Sequence, residues 1–320
     1  MMKILKKASI LFLSCFLTLS FFSKVQAAEI VKSNAVADLP KTSVQEESIT
    51  GMMQDPNAAQ GNSETLKGYT KADAEAIAQD LYGFVDDTKQ KNMYIQSIVN
   101  STFYDPANCY VEADGTKALI LYRGVQDDFS SAYSFIQEGI TFFSNPVLVF
   151  GQQDGALLLA VETDAAFDAD RAADNMRILQ KIRDTMHSVR DAVSQKDNTG
   201  KAAYICDYIA DSLTYDSEKK KNSLADAIDT GVTACMGYNA EALLFFGNCG
   251  IPYRSVTAKS KADGRGHILG LAMPAKAWLF FDTTNYDQDY GKEPYWIFSD
   301  TYRESQFYSD LTLLRQLPEN

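Results

Sequence analysis

Three residues able to run acyl-transfer chemistry follow one another in the C-terminal half of this 320-residue chain: Cys235, His267 and Asp282. Cys235 stands in TGVTACMGYNAEALLFFGNCG, where a polar loop turns into an apolar run. Between Cys235 and Phe246 only Asn239 and Glu241 are clearly polar, so a helix here is apolar almost all round and belongs in the centre of a core. Thr233 reads as its N-cap, which puts Cys235 at the second helical position, where unpaired N–H groups and the helix dipole favour a thiolate. Taken alone, Cys235 is equally a small apolar residue packing at a helix start, because free cysteine is among the most buried residue types.

A thiolate needs a base, and the chain has two histidines. His187, in IRDTMHSVRD, reads as a solvated residue on a polar helical face. His267, in GRGHILGLAM, follows a glycine-rich turn and opens an apolar strand. The next strand, AWLFFDTT over 277–284, makes a β-hairpin the direct reading. Pro274 excludes a type I′ turn and suits position i+1 of a type I turn, so a four-residue loop from Met273 to Lys276 sets Ala272 opposite Ala277. Counting back along an antiparallel pair then brings His267 opposite Asp282, at about 5 Å on one face. A carboxylate there fixes the imidazole tautomer and supports an imidazolium, which in turn supports a thiolate. The competing account of Asp282 is a cap for the strand end.

The elements that must hold these residues are legible in outline. TKADAEAIAQDLYGFVDDT carries a threonine start signal and helical spacing, and a second helix is expected within 88–100. Two strand pairs follow, turning at Asp114-Gly115 and Asp154-Gly155, with a helix expected between them in SSAYSFIQEGITFF. Residues 68–165 thus read as an α+β region without a chemical motif. Helices are expected from Asp168 to about Arg190, through TGKAAYICDYIADSLTYD, and in SLADAID, with SEKKKN as a solvated loop.

Lys3, Lys6 and Lys7 precede a 15-residue apolar run, Ala8 to Phe22, and Val25-Gln26-Ala27 supplies small residues for a cut. This pattern predicts a signal peptide over 1–27, since a spanning helix needs about 20 apolar residues, and hence a secreted chain with no transmembrane anchor after processing. Cleavage after Ala27 removes four lysines and no acids, taking the formal charge from −12 to −16. A chain so acidic is unsuited to nucleic acid or anionic lipid. Residues 28–66 are polar, acidic and aperiodic, and predict a flexible tether. Cys109, Cys206, Cys235 and Cys249 are too few for a disulfide scaffold, and a helix over 235–248 would hold Cys235 about 20 Å from Cys249, too far to bridge. NYDQDYG alternates Asn285, Asp287 and Asp289 as a calcium loop does, but its glycine is misplaced and Trp296 stands where a glutamate is needed. No metal site and no cofactor are expected.

The order of these pieces resembles the core of bacterial transglutaminase-like proteins, within the papain-like group of cysteine enzymes. The matching residues are Tyr215-Asp216, Cys235 with Gly237-Tyr238, Gly250-Ile251-Pro252, Gly266-His267, and Trp278 before Asp282 and Thr284. The family usually places a tryptophan soon after its histidine, where this chain has Ile268 and Leu269. The resemblance covers roughly residues 170–290. It implies an α+β fold in which 166–320 form a catalytic domain, with a central cysteine-bearing helix packed on an antiparallel sheet. It also implies Cys235 as nucleophile, His267 as base and Asp282 as orienting acid, with Tyr215 and Trp278 as candidates for oxyanion or substrate binding. The implied activity is attack on peptide or protein amides through a thioester, with hydrolysis favoured over cross-linking and a cell-wall-associated substrate in view. The rival expectation is a silent fold serving as a surface binding module through its aromatic tail, Tyr286, Tyr290, Tyr295, Trp296, Tyr302 and Tyr308.

Overall fold

The computed structural model describes residues 53–54, 65–66, 68–103, 108–111, 115, 117–124, 138–140, 142–144, 148–153, 156–162, 169–276, 278–287 and 307–314. The expected signal segment and most of the tether lie outside them. Two pieces of the tether segment are strands: β1 (Met53–Gln54) and β2 (Thr65–Leu66), the latter paired with β3 (Tyr69–Thr70). Backbone pairing needs no apolar periodicity, so composition alone gives no signal for such short strands.

Helix α1 (Lys71–Tyr82) starts where the threonine signal places it. Thr70 accepts from the Asp73 N–H at 3.1 Å, and the Asp73 carboxylate accepts the Thr70 N–H at 2.7 Å, a reciprocal cap. Helix α2 (Thr88–Phe103) follows and packs on β5 (Lys117–Gly124). β4 (Cys109–Val111) pairs with β5, and β6 (Leu148–Gln153) with β7 (Ala156–Glu162), so both expected hairpins form. Together they give an antiparallel sheet ordered β1-β4-β5-β7-β6. Of the helix expected between the hairpins, residues 138–140 and 142–143 are not helical, and 130–137 and 141 lie outside the described residues.

The C-terminal half opens with α3 (Ala169–Ala192) and α4 (Asn198–Ser212), then β8 (Thr214–Tyr215) and α5 (Leu224–Thr230). Ser223 and Asp226 cap α5 reciprocally, and Gly231 ends it in the left-handed region at φ 68°. β9 (Val232–Thr233) pairs in parallel with β8 and leads into α6 (Cys235–Asn248). β10 (Tyr253–Ser260), β11 (Gly266–Ala272) and β12 (Leu279–Phe281) follow, then α7 (Thr283–Asp287) and β13 (Tyr308–Leu313). The second sheet is antiparallel and ordered β12-β11-β10-β13.

Helix α6 is the centre, as its all-round apolarity requires. Tyr238, Leu244, Phe245 and Phe246 are fully buried, and Phe246 meets Phe281 edge-on at 4.6 Å and stacks on Tyr253 at 5.3 Å. One hydrophobic cluster joins α1, α2 and β5 to α3, α4 and α6, so a single core runs through both halves of the described chain. Gly247 lets the Phe84 ring approach so closely that a Cβ would come within 2.4 Å of it. His187 is half-buried rather than fully solvated, its Nε2 lying 2.7 Å from Asp80 of α1. No helix among the described residues is long and apolar enough to cross a membrane.

Candidate functional site

Cys235 is the first residue of α6 and is 7% exposed. The expected Thr233 cap is not made: the N-cap residue is Ala234, with no side-chain cap bond. Thr233 is drawn away by its backbone pairing with Tyr215, and its buried hydroxyl reaches the Ser223 carbonyl at 3.5 Å. Asn222 takes over the capping, its Oδ1 accepting the Met236 N–H at 3.0 Å. The Thr233 side chain also crosses Gly237 so closely that a Cβ there would lie 2.0 Å from its hydroxyl oxygen. From the N-terminal half, Gly139 (φ 75°) abuts the Met236 carbonyl, where a Cβ would come within 2.7 Å. The first turn of α6 is thereby fixed from both sides.

The histidine–aspartate pair forms in a register different from the expected one. Ala272 pairs with Leu279 and Gly270 with Phe281, so the connection is two residues longer than the expected four-residue loop. A slip of two keeps every side chain on its face, and His267 and Asp282 still meet. Asp282 lies just past the end of β12, where the chain turns into α7, rather than within the strand expected over 277–284. His267 Nε2 is 2.9 Å from Asp282 Oδ2, with the imidazole 12% and the carboxylate 1% exposed.

Asp282 is tied from several sides. Its Oδ1 accepts the Asn285 N–H at 3.1 Å; its Oδ2 accepts Asn285 Nδ2 at 2.8 Å and the Tyr308 hydroxyl at 3.1 Å. The Tyr308 hydroxyl itself accepts from Asn285 Nδ2, and its ring lies over the His267 ring at 5.1 Å with 8° between planes. With Nε2 committed to Asp282, Nδ1 is the imidazole nitrogen left to face the thiol of Cys235.

The electrostatics follow from this packing. Burial pushes the Cys235 thiol up, but the hydrogen bond and charge of His267, the Ile268 backbone N–H and the charge of Lys219 outweigh it and hold the thiol below its ordinary range. Burial works against the His267 imidazolium, yet the charge and hydrogen bond of Asp282, with Cys235, raise it to about 10. Both shifts favour a thiolate beside an imidazolium. Two other cysteines differ: burial, then the charges of Asp207 and Asp282, pushes the Cys206 thiol well up, and burial also raises that of Cys249.

No family model matches the chain, and no curated protein matches it. Among solved structures, a protein described as a TGase aligns at 15% identity with a TM-score of 0.30, covering 52% of each chain. A candidate cysteine protease from Cytophaga hutchinsonii aligns at 14% identity with a TM-score of 0.27, covering 43% of this chain and 62% of that one. The chain therefore spans between half and two thirds of the length of these two proteins, and likeness at this level carries neither a substrate nor an activity.

The other two expected site residues are each held by neighbours of their own. Tyr215 pairs by its backbone with Thr233, and its ring leans on Tyr238 at 6.4 Å. Trp278 is half-buried against the apolar cluster of Val256, Leu269, Leu271, Phe280 and Tyr308. Asn285 and Asp287, read as parts of an imperfect calcium loop, are spent within the protein, on Asp282 and on the Tyr238 hydroxyl. Sequence reasoning missed three participants. Asn285 carried a readable signal, standing three residues after Asp282 at a helix start. Lys219 lay in the segment read as a solvated loop; that loop folds around Asp216, whose carboxylate accepts the Glu218 and Lys221 N–H groups at 3.0 and 2.8 Å. Tyr308 carried no local signal.

Proposed function

We propose that this chain is an exported cysteine acyl-transfer enzyme of transglutaminase-like mechanism, acting on peptide or protein amides and passing the acyl group to water more readily than to an amine. The observation that supports it is the buried His267–Asp282 pair at 2.9 Å facing a thiol held below its ordinary range. In this reading the Cys235 thiolate attacks the amide carbon, and the oxyanion that forms is met by the Cys235 N–H. At the first helical position that N–H has no carbonyl four residues back to bond. His267 gives its proton to the leaving nitrogen as the C–N bond breaks, leaving a thioester and a neutral imidazole. The imidazole then takes a proton from water, and hydroxide attack on the thioester carbon releases the acid and restores the thiolate–imidazolium pair. An amine entering in place of water would give a new amide, so pocket shape and water exclusion decide between hydrolysis and cross-linking. Tyr215, beside the first turn of α6, serves the oxyanion side, and Trp278 lines the approach for substrate. The expected export signal favours a substrate outside the cell, and the family resemblance makes cell-wall peptides the leading class. The test is a panel of peptide amides and cross-linked cell-wall peptides, with and without added lysine, against the protein and its Cys235→Ala variant. Cys235-dependent release of acid supports the reading. Unaltered peptides throughout, with no acyl adduct on Cys235 by mass spectrometry, would support a silent binding module.

A further inference from the structure

Tyr308 comes from the far end of the chain, 26 residues beyond Asp282, yet it touches both members of the histidine–aspartate pair. Its strand, β13, reaches the site by pairing with β10, where Ser260 faces Tyr308 and Thr257 faces Thr312. β10 in turn pairs Ala258 with His267 of β11. The tyrosine is therefore delivered over the imidazole by two sheet registers, not by a flexible loop. It is 6% exposed and packs among Val256, Ala258, Leu269, Leu271 and Phe280, so its ring sits in a built apolar frame. Its hydroxyl stands in a directed chain in which Asn285 Nδ2 donates to the tyrosine oxygen and the tyrosine O–H donates to Asp282 Oδ2.

We propose that Tyr308 is a positioning residue that roofs the His267–Asp282 pair, its ring excluding water from the imidazole. The C-terminal strand is thus part of the active site rather than an outer surface. The proposal rests on the acyl-transfer reading above, because a roof matters only if the pair beneath it works. The charged and titratable groups around that pair are Asp282, Cys235 from α6 and Tyr308 itself. Cys206 of α4 and Tyr253 of β10 feel the charge of Asp282, and Lys219 bears on the thiol. Water admitted beside the imidazole would weaken both the burial penalty and the attraction of Asp282. Since the balance of the two is upward, opening the roof lowers the titration of His267.

Two histidines make the experiment direct, because ring nitrogen NMR of the labelled protein shows only His187 and His267. The parent, Tyr308→Phe and Tyr308→Ala are titrated, each first shown to be folded by circular dichroism and thermal melting. Phenylalanine keeps the ring and should leave the His267 midpoint within about half a pH unit. Alanine should drop it by at least about one unit and slow alkylation of Cys235 at pH 6 about tenfold. Should the alanine protein not fold, Tyr308→Thr, suited to an edge strand, carries the same expectation. An alanine or threonine protein titrating like the parent overturns the proposal, and so does a phenylalanine protein shifted as far as alanine. If His267 in the parent itself titrates near 6.5, the acyl-transfer reading fails first, which is a different result.

Discussion

Glu241 offers a sharp test of how α6 is packed. It lies on the helix that begins with Cys235, is 1% exposed, and its Oε2 has no hydrogen-bond partner among the described residues. Burial raises its carboxyl from an ordinary 4.5 to about 8. In the unfolded chain the group ionises near 4.5, so between pH 4.5 and 8 folding takes up a proton, and stability falls as pH rises through that window. At about 1.4 kcal/mol per unit, the cost reaches about 3 kcal/mol at pH 7. Glu241→Met removes the titration and the buried polar atoms together, while Glu241→Gln removes only the titration. Relative to the parent, both variants should gain about 2.5 kcal/mol between pH 5 and pH 7. The glutamine protein should carry in addition a pH-independent penalty of about 1–3 kcal/mol for its unpaired amide. Urea unfolding at pH 5, 6 and 7 at fixed ionic strength, with equal m-values, measures this. A variant-minus-parent difference that stays flat from pH 5 to 7 would mean that Glu241 is solvated or paired in the folded protein, and the reasoning would be refuted.

Two further outcomes follow from the same geometry. Asp282→Ala removes the charge that contributes most to raising His267, and should slow Cys235 alkylation at pH 6 by about tenfold to a thousandfold while the protein stays folded, as read by mass spectrometry of the labelled peptide. Phe246→Ala empties the space between Tyr253 and Phe281 and should cost about 3–5 kcal/mol in urea unfolding, whereas Phe246→Leu should cost distinctly less.

Local chemistry was the legible part. The reciprocal cap at Thr70 and Asp73, the Asp154-Gly155 signal between two apolar runs and the apolar run after Cys235 each declare an element within a few residues, and a helix, a strand pair and a helix form beside them. The meeting of His267 and Asp282 was legible for a weaker reason. Alternation fixes the face of a strand but cannot separate registers two residues apart, so the pair was found although the connection was drawn too short. Capping of α6 was misread because Thr233, favourable in isolation, is claimed by its pairing with Tyr215, and Asn222 arrives from 14 residues before Met236. Contacts such as His187 with Asp80, 107 residues apart, and Tyr308 with His267 depend on how sheets and helices are stacked, which no local pattern encodes. Tyr290, Tyr295, Trp296 and Tyr302 lie outside the described residues, while Tyr286 packs on the main core and donates to Asp207 at 2.8 Å.

The central claim is a thiolate at Cys235 sustained by His267, and the most direct measurement is the rate of iodoacetamide labelling of Cys235 from pH 4 to 10 in the parent and in His267→Ala. The parent should label with a midpoint well below pH 8. Without the imidazolium, burial is opposed only by the Ile268 N–H and the charge of Lys219, and the midpoint in His267→Ala should rise well above that of the parent. A parent midpoint near 8.5 or higher that does not move when His267 is removed would contradict the account.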